Sequence, residues 1–353
     1  MNVLHIVSSL NPGGIEKWLS DLVEVDNCNQ HSFLKQKKET GFLENSITGN
    51  GGVIHLLENR FILSYLFQLY FFLRRHDYDV VHSHVHLSSG AIMFICFLAG
   101  VKIRVTHSHL DDRAHNVSSP GYYNILMKMF IKIFSNRLIA CSNGASVCLF
   151  EDSNGVLVMP CGIKLNSKLD VDYAFEVRNR LEICHVGRFS KEKNHEFIIR
   201  FVQALDLCNV NFQLSLVGSG ESKKTIEAMV DSYGLNDKVK FVGNLTSVDS
   251  FMVDKDLFIF PSLHEGLGLA LVEAQFYGLY CICSDSIPSE AIYQNCLPLQ
   301  INGDAEFAWV EAVKLLLSEG VLLENPREEI LSSEVNVSKN VKSLISFYKC
   351  GYR

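Results

Sequence analysis

No stretch of this 353-residue chain stays apolar for the roughly 18 residues that a bilayer-spanning helix needs. Its two strongest apolar runs, Phe61–Leu73 and Ala91–Val101, both stop short. The opening segment MNVLHIVSSLNPGG lacks the basic-then-apolar pattern and small-residue cleavage site of a secretory signal, so a cytoplasmic chain is expected. Positive charge is not in excess either: a net charge of −7 leaves no general basic face, and nucleic acid is not an expected partner. The eleven cysteines are odd in number and scattered; Cys281 and Cys283 make a C-x-C pair, but no second pair has zinc-finger spacing. These thiols are therefore expected to be reduced and buried. Short-period repeats and low-complexity segments are missing. Val217-Gly218-Ser219-Gly220 lacks the third glycine of a dinucleotide fingerprint, which disfavours an NAD-dependent enzyme.

What is present is a folding composition, 48% hydrophobic and 20% charged, in a chain long enough for about two domains. Short β-branched runs alternate with amphipathic helical stretches, the pattern of a parallel sheet flanked by helices. In the first half the strands read as Asn2–Val7, Gly52–Leu56, Asp79–His82, Ile103–His107, Arg137–Cys141 and Gly155–Met159. Helices separate them, from Gly14 to about Val25 and at Phe61–Arg75, Ser89–Leu98 and Tyr122–Phe134. A polar stretch over Lys164–Arg180 reads as a connection. The alternation then restarts with strands Glu182–Val186, Gln213–Val217, Val239–Phe241, Leu257–Phe260 and Cys281–Ser284, interleaved with helices. Phe61–Leu73 holds four Phe and two Tyr and runs into Arg74-Arg75. It is either a half-buried helix or one lying on a membrane surface.

Three glycine turns open helices. Asn11-Pro12-Gly13-Gly14-Ile15-Glu16 lets backbone amides approach an anion at a helix N-terminus, or is a plain strand–helix connection. Gly187-Arg188-Phe189-Ser190-Lys191-Glu192-Lys193-Asn194 follows a strand directly. Arg188 and Lys193 there suit a diphosphate and its departing charge, or the run is a solvated surface loop, and Asn194 is a candidate helix cap. His264-Glu265-Gly266-Leu267-Gly268-Leu269 opens a helix whose amides face oxygens of phosphate or sugar. Glu273, two turns on and among apolar neighbours, needs a partner such as a pair of hydroxyls or a salt bridge. Histidines gather in two runs, His82, His84 and His86, then His107 and His109. H-x-H-x-H brings zinc into consideration, but no acidic ligand pattern accompanies it, and a catalytic or acceptor-binding role fits better.

In this order the pieces resemble glycosyltransferase family 4. They run from the Gly13-Gly14-Ile15-Glu16 loop through D-V-V-H-S-H, T-H-S-H and A-C-S-N-G-A to G-R-F-S-K-E-K-N, E-G-L-G-L-A-L-V-E-A and S-D-S-I-P-S-E. The pattern is most similar to bacterial transferases that build capsule, exopolysaccharide or O-antigen. The resemblance implies an α/β chain of GT-B fold, two Rossmann-like domains facing across an interdomain cleft. Residues 1–168 would form the acceptor-side domain, 169–336 the donor-binding domain, and 337–353 a helix crossing back to the first.

The resemblance further implies retaining, metal-independent transfer of a sugar from a UDP- or GDP-linked donor to a saccharide or lipid-linked acceptor, with no other cofactor. Peripheral contact with the cytoplasmic face of the membrane goes with such an acceptor. Arg188 and Lys193 would hold the donor diphosphate. Glu265 would bond sugar hydroxyls with help from the amides of Gly266, Leu267, Gly268 and Leu269. Glu273 would hold the ribose, and Gly13 and Gly14 would approach phosphates or acceptor. His109 would sit near the reacting sugar, with Gly218 and Val242 beside the base. Where the family has N-G-[IV]-D, this chain has Cys161-Gly162-Ile163-Lys164. Two other readings remain, a transferase with a small soluble acceptor and a non-catalytic nucleotide-sugar-binding protein.

Overall fold

A computed structural model describes the chain except residues 11–12, 59–60, 110–120, 152, 172, 174, 176–178, 322 and 351–353. Asn11 and Pro12 of the first glycine turn therefore lie outside the described residues, as does part of the polar stretch Lys164–Arg180. The chain divides into two compact units, Met1–Lys164 with Ser332–Arg353, and Leu165–Leu331.

The first unit runs β1 (Asn2–Val7), α1 (Gly14–Val25), β2 (Gln30–Lys35), α2 (Glu44–Gly49), β3 (Val53–Leu56), α3 (Ile62–Arg75) and β4 (Val80–Ser83). It continues through α4 (Ser89–Leu98), β5 (Ile103–Ser108), α5 (Gly121–Phe134), β6 (Arg137–Ala140), α6 (Asn143–Phe150) and β7 (Val156–Val158). Its sheet is parallel, in the order β3-β2-β1-β4-β5-β6-β7. The second unit runs β8 (Leu181–Val186), α7 (His195–Leu207), β9 (Phe212–Val217), α8 (Lys223–Ser232), β10 (Val239–Gly243), α9 (Asp249–Val253) and β11 (Leu257–Phe260). It closes with α10 (Leu269–Phe276), β12 (Tyr280–Ser284), β13 (Cys296–Leu299), α11 (Ala305–Glu319) and α12 (Arg327–Ser332). Its parallel sheet has the order β10-β9-β8-β11-β12-β13. Both sheets reverse their winding direction beside their first strand. The carboxyl ends of β1 and β4, and of β8 and β11, are thus the topological switch points at which doubly wound sheets gather ligand-binding loops.

Several elements escape the pattern reading. Strand β2 (QHSFLK) looks polar, yet five of its six residues are buried, because its polar members find partners inside. Lys35 Nζ donates to Glu44 Oε1 at 2.6 Å, and His31 meets Asp26 at 2.9 Å. Strand β13 carries Pro298, and α2, α6 and α9 are too short to show a period. The expectation of buried thiols holds for Cys96, Cys141, Cys161, Cys184, Cys281 and Cys283, whereas Cys28, Cys208 and Cys350 are exposed.

The first sheet has two unlike faces. Leu4, Ile6 and Val81 point one way, into a cluster with Tyr65, Leu69 and Leu73 of α3 and Ile92, Met93 and Cys96 of α4. The other face carries His5 and His82, register partners on β1 and β4, beneath Trp18 of α1. Helix α13 (Val337–Lys349) closes this face: Trp18 Nε1 donates to Asn340 Oδ1 at 2.8 Å, and Asn340 Nδ2 donates to the carbonyls of Pro160 and Glu334. Gly162 lies under it, where a Cβ would fall 2.8 Å from the Val337 Cα, so this position admits no side chain.

Helix α3 buries Tyr65, Leu69 and Leu73 at a spacing of four, packs Leu66, Tyr70 and Phe72 half-buried against the same core, and leaves Ile62, Leu63, Phe67 and Phe71 exposed. Phe61, Leu63 and Phe67 are 76%, 78% and 67% exposed. On α5, Tyr122, Ile125, Met129 and Ile133 are exposed as well, and Phe97 and Leu98 of the intervening α4 are about half exposed. No helix among the described residues is long and apolar enough to cross a membrane.

Candidate functional site

At the switch point of the second sheet, the loop after β8 and the loop after β11 come together. Lys193 Nζ forms an ion pair with Glu265 Oε1 and stands 4.8 Å from the centre of the Phe260 ring, so the lysine is held from two sides. Leu263 N donates to Glu192 O at 2.7 Å, joining the loops through the backbone as well. Asn194 sits at the N-cap of α7 with φ of 52°, but its side chain does not cap the helix. Its Nδ2 donates instead to Pro261 O at 3.2 Å, a third tie between the loops. Arg188 is exposed at the tip of the first loop.

Gly268 has φ of 99° and forms the N-cap of α10, with the peptides of Gly266–Leu269 leading into that helix. Left-handed backbone of this kind is strained for residues with a Cβ. Glu273 is half-buried on α10. The Val217-Gly218-Ser219-Gly220 turn packs directly on the Arg188 loop. A Cβ on Gly218 would lie 2.0 Å from the Gly187 carbonyl oxygen, and one on Gly220 would lie 2.4 Å from that of Phe189. The two glycines are therefore needed for the approach of one loop to another. Val242 stands on β10, 39% exposed.

Beneath these loops lie two buried imidazoles. His185 Nδ1 donates to Ile259 O at 2.9 Å, and His195 stacks on Phe189 with centroids 4.1 Å apart. Burial drives both below the ordinary histidine range, His195 to about 4, so both are neutral near pH 7.

In the first unit the histidines gather as a buried sheet-face cluster. His5 and His82 of the sheet, His84 just after β4, and His107 and His109 at the end of β5 are all less than 10% exposed. Trp18 lies edge-on or tilted to four of them. Tyr348 of α13 meets His82 Nδ1 at 2.6 Å, and His82 Nε2 meets His107 Nδ1 at 3.2 Å. Burial, reinforced by neighbouring histidines, lowers all five, His109 to about 3. Two triads, His5, His82, His84 and His84, His107, His109, bring ring nitrogens within 4.8 Å of one another. Yet His107 and His109 stack at 3.8 Å with planes 29° apart, and His5 Nδ1 and His84 Nε2 are spent on each other in a 3.1 Å hydrogen bond. In-plane lone pairs on stacked rings run side by side, whereas a tetrahedral metal needs them to converge.

Two family models cover most of the chain. Residues 41–166 match Glycosyltransferase Family 4, and residues 174–328 match Glycosyl transferases group 1. The chain is a family 4 glycosyltransferase. It is 28% identical to the putative glycosyltransferase EpsF of Bacillus subtilis, over 98% of this chain and 96% of that one. It is 27% identical to the capsular polysaccharide biosynthesis glycosyltransferase CapH of Staphylococcus aureus, over 90% and 91%. Among solved structures, Anabaena Alr3699/HepE in complex with UDP-glucose superposes with a TM-score of 0.80 at 16% identity, covering 98% of this chain and 99% of that one. The two parallel-sheet units are those of the GT-B fold.

Of the glycosyltransferase's anticipated site residues, Lys193 and Glu265 are in direct contact, and Gly266–Leu269 follow them into α10. The Cys161–Lys164 departure is answered by charge. Lys164 pairs with Glu24, and its amide donates to Asp21 Oδ2 at 3.3 Å, so the cation faces two acids of α1. Sequence reasoning missed His5, His31 and Asp26, which join the histidine cluster. The available signal was His5 itself, a titratable residue in the middle of an apolar strand that the parallel architecture buries on both faces.

Proposed function

We propose that the enzyme moves a sugar, with retention of configuration and without a metal ion, from a nucleoside-diphosphate sugar to a lipid-linked saccharide acceptor during surface-polysaccharide assembly. The observation that carries this reading is the Lys193–Glu265 contact at the mouth of the second sheet, beside the glycine-rich start of α10. In this reading Lys193 and Arg188 bind the diphosphate and neutralise it as it leaves. Glu265 holds donor sugar hydroxyls, Glu273 holds the ribose, and the Gly266–Leu269 amides add fixed dipoles. Gly13 and Gly14 approach the phosphates or the acceptor, Gly218 and Val242 flank the base, and His109 faces the reacting sugar. UDP is the favoured nucleotide because HepE was solved with UDP and UDP-glucose. A lipid-linked acceptor is supported by a 25% identical relative described as a galactosyltransferase acting on GlcNAc-diphosphoundecaprenol.

Thermal unfolding with UDP, GDP, ADP and CMP tests the donor site. UDP at a hundredfold its dissociation constant is expected to add about 2.7 kcal/mol, equally in EDTA and in magnesium. The anomeric coupling of the product then reads retention directly. No shift with any nucleotide, or an inverted product, sinks the reading.

The exposed apolar side chains of α3, α4 and α5, with Arg74, Arg75, Lys128 and Lys132 on the same helices, support docking on an anionic membrane surface. Sedimentation with phosphatidylglycerol vesicles is expected, weaker with phosphatidylcholine and lost on combining Leu63→Ser with Phe67→Ser. Equal recovery in the supernatant with and without anionic vesicles counts against it.

A further inference from the structure

Strand β11 ends on an aromatic ring that lies directly against the donor-side lysine. Its four residues alternate: Leu257 and Ile259 join the main apolar cluster of the second unit, and Phe258 and Phe260 take the other face. Pro261 follows, and a residue before proline is biased to extended backbone, so the strand keeps its alternation to its last residue. The Phe260 ring is fully buried, stacked on Phe258 with centroids 5.7 Å apart and on His185 with centroids 5.8 Å apart. A Cβ on Gly268 would come within 3.2 Å of its Cε1, so the ring also abuts the N-cap of α10. Packed on these sides it has little room to turn, and its face is presented to Lys193 Nζ, 4.8 Å from the ring centre.

Lys193 therefore has two partners of different kinds. Glu265 offers a full negative charge, and a carboxylate that stays paired cancels the charge that a diphosphate needs. The ring offers only a quadrupole, negative over its face, which attracts an ammonium and leaves its net charge in place. The group beneath the lysine stem adds no charge either. His185 Nδ1 donates to Ile259 O, and burial holds this imidazole neutral. A Cβ on Gly187 would fall 2.8 Å from His185 Nε2 and 3.3 Å from Lys193 Cδ, so imidazole and lysine stem share the space that a side chain would take.

We propose that Phe260 is a positioning residue for the transfer, its ring face holding the Lys193 ammonium at the diphosphate when Glu265 turns to the donor sugar. The proposal rests on the reading that Lys193 binds the diphosphate and Glu265 the sugar. A lysine released from its carboxylate would otherwise sweep through the rotamers of its four-carbon stem, and the diphosphate would meet only the fraction in place. The ring keeps that fraction high without cancelling the charge.

Fluorination separates the electrostatics of the ring from its shape, because each fluorine drains the negative face while adding little volume. Mono-, di- and trifluorinated phenylalanines replace Phe260 in the full chain carrying Glu265→Ala, where the carboxylate is already gone, and UDP binding is followed by calorimetry. UDP affinity is expected to fall step by step with fluorine number, about tenfold across the series. The steps are expected to be smaller with Glu265 in place and to vanish in a Lys193→Ala background. Unchanged affinity across the series overturns the proposal, even where Phe260→Leu weakens UDP binding, because the ring would then serve by packing alone. Equal steps with and without Lys193 overturn it as well. Wild-type UDP affinity in Lys193→Ala removes the donor reading itself. Weakened binding in Lys193→Ala with a flat fluorine series leaves that reading standing and removes Phe260 from it.

Discussion

Replacing Lys193 by alanine is expected to cut turnover by about two to three orders of magnitude, the usual effect of deleting one preorganised donor from a transition state that develops charge. Lys193 is 21% exposed and Glu265 12%, so the pair is largely withdrawn from water without being fully desolvated. Its energetic contribution to folding is correspondingly modest, and the main effect should be on chemistry. The two partners are expected to separate in their consequences. Lys193→Ala removes a cation and should weaken UDP binding. Glu265→Ala releases the lysine from its carboxylate, so UDP affinity should hold or rise while kcat falls. Calorimetric binding of UDP together with steady-state rates for both variants decides the matter. Equal losses of UDP affinity in the two would show that Glu265 does not act on the sugar, and unchanged rates in both would remove the pair from the site.

A steep loss of stability in mild acid is the second large effect expected. His5, His82, His84, His107 and His109 are all held below the ordinary range in the folded first unit, first by burial and then by one another. Below about pH 6.5 the unfolded chain takes up protons at these five positions and the folded chain does not. The stability they permit is thus fully present above about pH 6.5 and falls as pH drops toward the folded values, near 3 for His109. All five act in the same direction, so their losses compound as the pH falls below about 6.5. The second unit has His185 and His195 shifted the same way, giving a shallower slope. Urea unfolding at the two pH values, followed by Trp18 fluorescence in a Trp309→Phe background, is expected to show the first unit collapsing well before the second. A midpoint for the first unit that does not move between pH 7.5 and 5.5 would falsify the buried neutral assignment.

Much of the architecture could be read before the coordinates, for a physical reason. Parallel strands buried on both faces are short apolar runs, and the helices between them show one wet face, so β1, β11 and α7 stand out in the pattern. The loops after β8 and β11 stand out because each sets glycine and charge between a strand and a helix, Arg188 and Lys193 in the first and Glu265 in the second. What the pattern could not show is pairing at a distance. The burial of Lys35 depends on Glu44, and that of His31 on Asp26, so β2 reads as a polar loop until its partners are in place. The same holds for the histidines. H-S-H after β4 and after β5 is visible, but that β1 lies beside β4, bringing His5 to His82 and His84, is a property of sheet order.

The place of α13 has a consequence for how the chain is born. The unit that begins at Met1 is completed by Ser332 onward, so every residue of the other unit leaves the ribosome in between. Over that interval the Trp18 indole has no Asn340 to receive its hydrogen bond, and His82 has no Tyr348 beside it. The second unit, drawn from one uninterrupted stretch, is free to fold while the first waits. The half of the enzyme synthesised first is the half finished last.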